Sequence, residues 1–556
     1  MNKKNRFHVI LIKPSKYDDE GYVIRWWRAV VTSNSLSCLN ALTKDAAARE
    51  ILGADTEIVI HLFDGAVEKI PVRKLGRKIR AAGEKGVVAM AGVQSNQFPR
   101  AFNLAMEFKN EGLPSMIGGF HVSGTVAMFA EHPPEIRKAL GEKITLVAGE
   151  VEPHWDRLLQ DAYRGDLKPL YDFLPEKPAL EGTPAPFVTR HDLRHFINTQ
   201  TSFDAGRGCP FQCSFCTIIN VQGRTLRGRS VEDIEKIVRM NHGQKIKKFF
   251  ITDDNFARHP QWEAIADRLI ELKEKEGLRS SIMIQTDVLA HKIPRFIEKL
   301  ARAGCRRVFI GMESVNPENL AACGKRQNIV REYRKMLQAW RDHGVITCAG
   351  YIVGFPNDTY ESIMRDVEFL KKEIPLDVAE FFIWTPLPGS EDHKKLIEKG
   401  CDLNPDLNLY DTAHVVMKHP RMTPEELIRA YRDAWASFYS REHSLTLLKR
   451  RKGPRRRLLF SSLLWFRSTS LLENVHPLLG GYFRIKGRNA RRPGMPKEAF
   501  FPYYWRRLTE ISRYSTGMIK LFWETWQLFR EAQHPRNADY TDIAITPEAP
   551  ADESNS

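Results

Sequence analysis

The chain of 556 residues contains no apolar run approaching the roughly 18 residues that a membrane-spanning helix needs. No apolar segment follows the opening MNKKN as a secretory signal would require, so we expect a cytoplasmic protein. Only eight cysteines occur, too few for a disulfide scaffold in a chain of this length. We therefore exclude the secreted, fibrous and membrane-spanning classes.

Positive charge is concentrated near the C-terminus. The formal net charge is +16, and residues 441–540 carry 21 Lys and Arg against 7 Asp and Glu. The rest of the chain is therefore nearly neutral. A basic segment on a neutral body points to an anionic partner, either phospholipid or nucleic acid, or is simply a solubilising face.

Two series of apolar strands alternating with helix-length segments predict an α/β protein. Short apolar strands separated by helices are typical of a parallel sheet that is covered on both faces. For residues 1–165 we predict a Rossmann-like sheet that binds its ligand at the carboxyl ends of the strands. Its predicted strands are Phe7–Lys13, Glu57–Phe63, Val87–Val93, Pro114–Gly119 and Ile144–Glu150.

The second series follows a proline-rich linker, predicted at residues 166–198. Six successive βα units predict a partial TIM-like barrel over residues 199–420. Residues 421–556 then form a region that we expect to be helical, basic and aromatic. The predicted barrel strands are Ser202–Gly208, Lys247–Asp254, Ser281–Val288, Arg307–Ser314, Thr347–Pro356 and Ala379–Leu387.

Three cysteines stand on one predicted loop, directly after the first strand of the second series. Cys209, Cys213 and Cys216 occur in GCPFQCSFC. Three thiolates can hold three irons of a 4Fe-4S cluster and leave the fourth iron open to another ligand. The next cysteine, Cys305, belongs to a different βα unit, and no His or fourth Cys stands at zinc-finger spacing. The pattern favours a cluster with an open site over a zinc or purely structural site.

This C-x₃-C-x₂-C loop, with Phe215 before its third cysteine, resembles the loop of the radical S-adenosylmethionine (radical SAM) superfamily. In that family SAM chelates the open iron, and its reductive cleavage yields a 5′-deoxyadenosyl radical that abstracts hydrogen from a substrate. The resemblance covers roughly residues 201–420. It implies a 4Fe-4S cluster, SAM, and an external electron donor such as flavodoxin or ferredoxin.

Later strand ends carry further motifs that resemble those of the family, namely TDDNF, GMESVNPENL, YIVGFP and TPLPGS. The resemblance places the last of them on the substrate side and assigns no catalytic residue. From the residues alone, the two aspartates of TDDNF, and less readily Glu313, could instead cap a helix or form a salt bridge at the barrel rim. The residues that the resemblance assigns to SAM binding are Phe215, Asp253, Asp254, Glu313 and Gly354.

The first predicted domain resembles the cobalamin-binding domain that precedes many radical SAM cores. Ser95, Gly118 and Gly119 stand where that domain makes room for the nucleotide tail, and glycine lets backbone approach a bulky ligand. The D-x-H-x-x-G motif with the axial cobalt ligand is absent. Either cobalamin binds without a protein ligand to cobalt, or the fold is kept without its cofactor. We expect His121 to pack or hydrogen-bond.

Residues Met422–Ser440 predict an amphipathic helix that Thr423 is expected to cap. Two later features suggest contact with a membrane, namely the run KRRKGPRRR before LLFSSLLWF and the apolar helix GMIKLFWETWQLFRE. The competing interpretation is a helix buried against the barrel. Nucleic acid is disfavoured because only FFPYYWRR interleaves aromatic with basic residues.

Together these patterns predict an enzyme that methylates an unactivated carbon of a hydrophobic small molecule or lipid with the help of cobalamin. One alternative keeps the cofactors but performs an oxidative cyclisation or rearrangement. A second, of another class, is a non-catalytic iron–sulfur sensor or binding protein. SAM turnover discriminates between them, because a sensor never releases 5′-deoxyadenosine.

Overall fold

A computed structural model describes residues 4–473 and 475–546, so the last ten residues of the predicted C-terminal region lie outside it. The described chain contains two six-stranded parallel sheets, and the predicted α/β class is confirmed. Both sheets alternate with helices along the chain, and a helical C-terminal region packs against them.

The first sheet has the strand order β3-β1-β4-β5-β6-β7. Strand β1 contributes alternate side chains to two cores, Ile10 and Ile12 on one face and Phe7, Val9 and Leu11 on the other. This explains its uninterrupted apolar sequence. The strands of this part are β1 (Asn5–Lys13), β2 (Trp26–Ala29, outside the sheet), β3 (Thr56–Asp64), β4 (Lys85–Met90), β5 (Ser115–Gly118), β6 (Thr145–Ala148) and β7 (Leu170–Asp172).

Helices cover both faces of this sheet. Their bounds are α1 (Asn34–Ala48), α2 (Val72–Ala81), α3 (Phe98–Asn110), α4 (Phe120–Met128), α5 (Pro134–Gly141) and α6 (Trp155–Arg164). Helix α1 begins where the Ser33 hydroxyl accepts a hydrogen bond from the Leu36 N–H. Helix α6 ends at Gly165, whose left-handed backbone conformation closes the helix.

The first sheet extends beyond its predicted boundary at residue 165. Strand β7 pairs in parallel with β6, with Leu170 opposite Leu146. Three residues flanked by prolines carry too little pattern to be recognised as a strand. The rest of the predicted linker is also packed rather than free, because Leu180, Val188 and Leu193 are buried.

The second sheet has the order β15-β14-β13-β12-β11-β8 and is parallel throughout, as the partial barrel requires. The strands of this part are β8 (Gln200–Phe203), β9 (Gly206–Arg207), β10 (Arg227–Gly228), β11 (Lys248–Ile251), β12 (Ser281–Thr286), β13 (Cys305–Glu313), β14 (Ile346–Val353) and β15 (Val378–Ile383). Its helices are α7 (Ile218–Val221), α8 (Val231–Gly243), α9 (Trp262–Glu274), α10 (Phe296–Ala303), α11 (Pro317–Ala322), α12 (Tyr333–Asp342), α13 (Tyr360–Lys372) and α14 (Glu391–Glu398).

The predicted strand Ser202–Gly208 is wrong as a single strand. The parallel ladder ends at Phe203, and the short strand β9 pairs antiparallel with β10 instead. The carboxylate of Asp253 accepts the Ala205 N–H at 2.6 Å, which turns the chain at this point. This break between β8 and β9 sets the direction in which the chain enters the cysteine loop.

The C-terminal region contains α15 (Pro424–Phe438), α16 (Arg441–Lys449), α17 (Gly453–Ser468), β16 (Gly481–Arg484) and α18 (Phe500–Ala532). The predicted cap is confirmed, since the Thr423 hydroxyl accepts the Glu426 N–H. The region is not purely helical, because β16 pairs antiparallel with β2. It shares the core of the barrel through Leu447, Leu448 and Leu459.

The basic run KRRKGPRRR does not form one exposed patch. Arg450, Arg451 and Arg456 are buried, and Arg451 forms an ion pair with the buried carboxylate of Asp377. Arg456 donates to the carbonyl oxygens of Leu448 and Arg451. Three of the seven cations in this run are therefore part of the folded interior and not available to a membrane. Within residues 4–473 and 475–546, no helix is long and apolar enough to cross a membrane.

Candidate cofactor site

A cavity of about 420 Å³ lies where the carboxyl ends of the first sheet meet the barrel. The first sheet contributes the loops after β4, β5 and β6, including Gly92, Gly118 and Gly149. The barrel contributes residues on both sides of the cysteine loop, together with Asp254. One cavity therefore joins the two predicted cofactor regions, at the sheet edge where parallel α/β sheets bind ligands.

The cysteine loop begins directly after β9, and hydrogen bonds from its backbone N–H groups hold it in place. The Cys209 N–H donates to Gly223 O at 3.2 Å, and the Ser214 N–H donates to Cys323 O at 3.0 Å. Gly208 has a φ of +97°, and a Cβ at this position would lie 2.5 Å from Thr225 O. Glycine is thus required where the strand turns into the loop.

The three thiols of this loop suit a cluster that binds each of them through a different iron. In the described part of the chain, no three His, Cys, Asp or Glu side chains converge on one point, and a cubane cluster needs no such convergence. Burial raises the pKa of all three thiols, that of Cys216 to about 12. Iron binding is then the event that converts them to thiolates, because a metal displaces the thiol protons.

The two predicted aspartates have different surroundings. Asp253 is buried, and its Oδ1 is occupied by the Ala205 N–H. Its Oδ2 has no hydrogen-bond partner among the described residues. Asp254 lines the cavity, and burial raises its pKa to about 7. The structure thus gives Asp253 a role in shaping the backbone before the cysteine loop and turns Asp254 toward the cavity.

Glu313 stands at the end of β13 in a left-handed conformation, with a φ of +64°. Its carboxylate forms an ion pair with Lys325, and both side chains are largely buried. Burial opposes the charge on Lys325, but Glu313 and the nearby Cys213 raise its pKa. The Lys325 ammonium also lies 5.6 Å from the ring centre of Phe215. Sequence reasoning missed Lys325, which lies on an irregular segment that carries no motif.

Gly354 and Phe215 lie near this pair, at the top of the barrel. Phe215 packs with Ile352, Phe355 and Trp384 in a small apolar cluster. Gly354 has a φ of +88°, and a Cβ there would lie 2.6 Å from the Leu427 side chain. Backbone conformation and α15 packing therefore both require glycine at this position, and the predicted approach of its backbone to adenine stays a prediction.

On the side of the first sheet, Gly118 and Gly119 line the cavity. Gly119 has a φ of +142°, and an added Cβ would lie 2.1 Å from the Val93 backbone nitrogen. Ser95 does not line the cavity. Its hydroxyl lies 3.2 Å from Nδ1 of the fully buried His121, which also packs against Phe98. The expectation that His121 packs and hydrogen-bonds is confirmed.

A buried network of ions ties the cysteine loop to the first sheet. Arg207, two residues before Cys209, forms ion pairs with Glu150 at 2.8 Å, Glu152 at 2.6 Å and Asp204 at 2.8 Å. Burial opposes ionisation, yet Arg207 and Arg229 lower the pKa of Asp204 to about 2. These residues also line the cavity. No local pattern in the sequence could have predicted that Arg207 pairs with Glu150 and Glu152, which are distant from it along the chain.

The comparisons with known proteins agree with this geometry. The radical SAM superfamily profile matches residues 205–370. An uncharacterized methyltransferase of Pyrococcus horikoshii is 31% identical over 406 residues, covering 69% of this chain and 84% of that protein. A bacteriochlorophyllide d C-8(2)-methyltransferase of Chlorobaculum tepidum is 28% identical, covering 60% and 74% respectively.

A similar solved structure is that of the radical S-adenosylmethionine methyltransferase TsrM from Kitasatospora setae, with cobalamin and a [4Fe-4S] cluster bound. It is 15% identical, with a TM-score of 0.53, and the match covers 71% of this chain and 79% of that one. This likeness shows the shared fold.

A cysteine loop of this spacing at the mouth of a partial parallel barrel defines an iron–sulfur enzyme that cleaves SAM. The chain belongs to the radical SAM superfamily. Its cofactors accordingly include a 4Fe-4S cluster and SAM, and the predicted enzyme class is confirmed.

Proposed function

We propose that the chain is a cobalamin-dependent radical SAM enzyme that methylates an unactivated carbon of a hydrophobic substrate. The observation that carries this proposal is the single cavity between the first sheet and the cysteine loop. A cavity reached from both sides allows one substrate carbon to approach both cofactors. The methyltransferase relatives support the reaction type.

The residues present fit these cofactors. Cys209, Cys213 and Cys216 would hold the cluster, and Lys325 would pair with the SAM carboxylate in competition with Glu313. The bound cluster and SAM supply a hydrogen-abstracting radical, and bound cobalamin supplies a transferable methyl group. An external donor such as flavodoxin or ferredoxin would provide the electron.

On the opposite wall, the backbone of Gly118 and Gly119 would face cobalamin, because both residues line the cavity. Most of the remaining wall is apolar, including Leu39, Met90 and Trp155. Such a wall excludes water from a radical intermediate.

A hydrophobic substrate is supported by the aromatic barrel interior and by one relative. Phe215, Phe355 and Trp384 form an apolar wall near Glu313 and Lys325. The relative from Chlorobaculum tepidum is described as acting on bacteriochlorophyllide d, a large hydrophobic molecule. We therefore propose a lipid or another largely apolar small molecule.

The test uses the anaerobically reconstituted full chain with SAM, a low-potential reductant, hydroxocobalamin and candidate apolar substrates. A methylase of this kind uses one SAM to form the radical, which leaves as 5′-deoxyadenosine, and a second SAM as the methyl donor, which leaves as S-adenosylhomocysteine. Deoxyadenosine alone would favour the cyclisation or rearrangement alternative, and neither product would favour the sensor. Cys213→Ala should abolish both products.

We also propose that the chain is cytoplasmic and contacts a membrane peripherally through its C-terminal region, where an apolar substrate could be collected. The support is the exposed apolar surface of α18 and the excess of positive charge in residues 441–540. Flotation of the full chain with vesicles tests this contact directly.

A further inference from the structure

Helix α18 is 33 residues long, about 50 Å at the rise of an α-helix, and exposes apolar residues on one side in both of its halves. The polar residues Ser512, Ser515 and Thr516 separate the two apolar groups on that side. Phe501 is 82% exposed, Trp505 73% and Ile519 70%. Their spacing of roughly three to four residues, or multiples of it, keeps them on one side of the helix. We call this set the α18 stripe, and its members are Phe501, Trp505, Leu508, Ile519, Phe522, Trp523 and Trp526.

Most of the stripe is separate from the face that holds α18 to the protein. That face buries Tyr503, Leu521 and Leu528. Arg467 of α17 adds hydrogen bonds to Thr525 and Glu524, both at 2.9 Å. Two stripe members, Phe522 and Trp526, also contact Phe460 of α17, with ring centres 6.3 and 6.1 Å apart. The more exposed members, among them Phe501, Trp505 and Ile519, remain for an external partner.

The charged residues of α18 that form no ion pair in the described part of the chain are all positive. Arg513, Lys520 and Arg530 are exposed, and none of them forms an ion pair within the described part of the chain. The three acidic residues of α18 are half-buried and paired, Glu510 with Arg506, Glu524 with Arg467 and Glu531 with Arg536. The partner therefore meets apolar and cationic groups together.

We propose that α18 lies along the surface of an anionic phospholipid bilayer, with the stripe below the phosphates and Arg513 and Lys520 at their level. This rests on the proposed membrane contact and specifies its surface and its lipid chemistry. Amphipathic aromatic rings favour the headgroup boundary, and cations favour anionic lipid. A second copy of the chain is a poorer fit, because pairing two stripes would bring their cations together.

The test is flotation of the full chain with phosphatidylcholine vesicles, with and without phosphatidylglycerol. The double variant W505S/W523S should weaken binding about tenfold for each tryptophan removed. R513Q/K520Q should weaken it about fivefold per cation, and only when phosphatidylglycerol is present. The controls are I397S, an exposed apolar residue of α14, and K236Q/K335Q, exposed cations of α8 and α12.

The outcomes separate the two proposals. If the full chain does not float with anionic vesicles, both the membrane contact and the role of the stripe are wrong. If W505S/W523S floats like the unaltered chain, only the role of the stripe is wrong. A concentration-dependent dimer that this variant abolishes, without flotation, would assign the surface to a second copy. The methylation proposal is tested separately by the release of both 5′-deoxyadenosine and S-adenosylhomocysteine.

Discussion

Among the described residues, Lys325 is the one cation paired with Glu313 beside the cysteine loop. Replacing it with Met should weaken SAM binding roughly 10- to 100-fold, the usual worth of a charge-assisted hydrogen bond. The measurement is the SAM-induced change in the electron paramagnetic resonance spectrum of the reduced cluster. Lys325→Arg should retain most of the affinity. If the Met variant has a normal iron content and an unchanged affinity for SAM, Lys325 does not bind SAM.

Gly119 offers a second test at one position. Gly119→Ala should destabilise the protein by about 1–3 kcal/mol, because the backbone is strained and the new Cβ would collide with Val93. It should also reduce the retention of cobalamin on desalting. The matched control is Gly112→Ala, which also has a positive φ but no atom near the added Cβ. Equal cobalamin retention in the two variants would contradict the predicted role of Gly119.

The sequence was sufficient for the cysteines because their spacing is itself the signal. It was insufficient for Lys325, which the fold brings to Glu313 from a loop without periodicity. For Ser95 and Gly354 the structure shows local partners that the sequence could not reveal, namely His121 and Leu427 respectively. Their predicted contacts with a cofactor stay predictions.

Strand β9 connects the network of Arg207 to the cysteine loop. Arg207→Met would leave Glu150, Glu152 and Asp204 buried without their common cation, at a cost of about 3–5 kcal/mol. We expect a lower unfolding midpoint in urea and faster proteolysis of the segment between the two sheets. Arg239→Met is the control, since its pairs are on the surface and contribute at most about 1 kcal/mol. Equal midpoints for the two variants would contradict this account.

Long strands and capped helices were predictable because each carries its own periodicity. Strand β1 and the Thr423 cap of α15 are examples. Strands β7, β9 and β10 have three residues or fewer, so their pairing depends on partners that are distant in sequence. Short elements of this kind are fixed by the tertiary structure and not by local preference.

Contacts between distant parts of the chain also predict a dependence of stability on pH. His414 lies between Asp19 and Asp411, whose hydrogen bonds raise its pKa to about 9. Because the folded pKa exceeds the unfolded value, this stabilisation is complete below about pH 6.5 and is lost as the pH rises through about 9. The loss should be about 2 kcal/mol, allowing for partial exposure.

Urea unfolding between pH 6 and 10 measures this effect. His414→Asn should flatten the fall in stability, and His343→Asn, at the exposed end of α12, should not. A fall of the same size in His414→Asn would show that other groups cause it.

The arrangement of the whole molecule was the part least accessible from sequence. Composition correctly placed an excess of positive charge near the C-terminus, but three arginines of the basic run are buried in the fold. The cavity wall includes the pair of Glu150 with Arg207, which only the folded chain brings together. Away from the cavity, Lys16 and Asp411 form another such pair.

The most direct test of the central claim measures cobalamin and SAM cleavage in the same sample. The chain is reconstituted with iron, sulfide and hydroxocobalamin, desalted anaerobically, and then given SAM and reductant. We predict that cobalamin stays bound in proportion to the cluster and that 5′-deoxyadenosine is released. A chain that assembles its cluster and cleaves SAM but retains no cobalamin would contradict the assignment of the cavity between the two sheets.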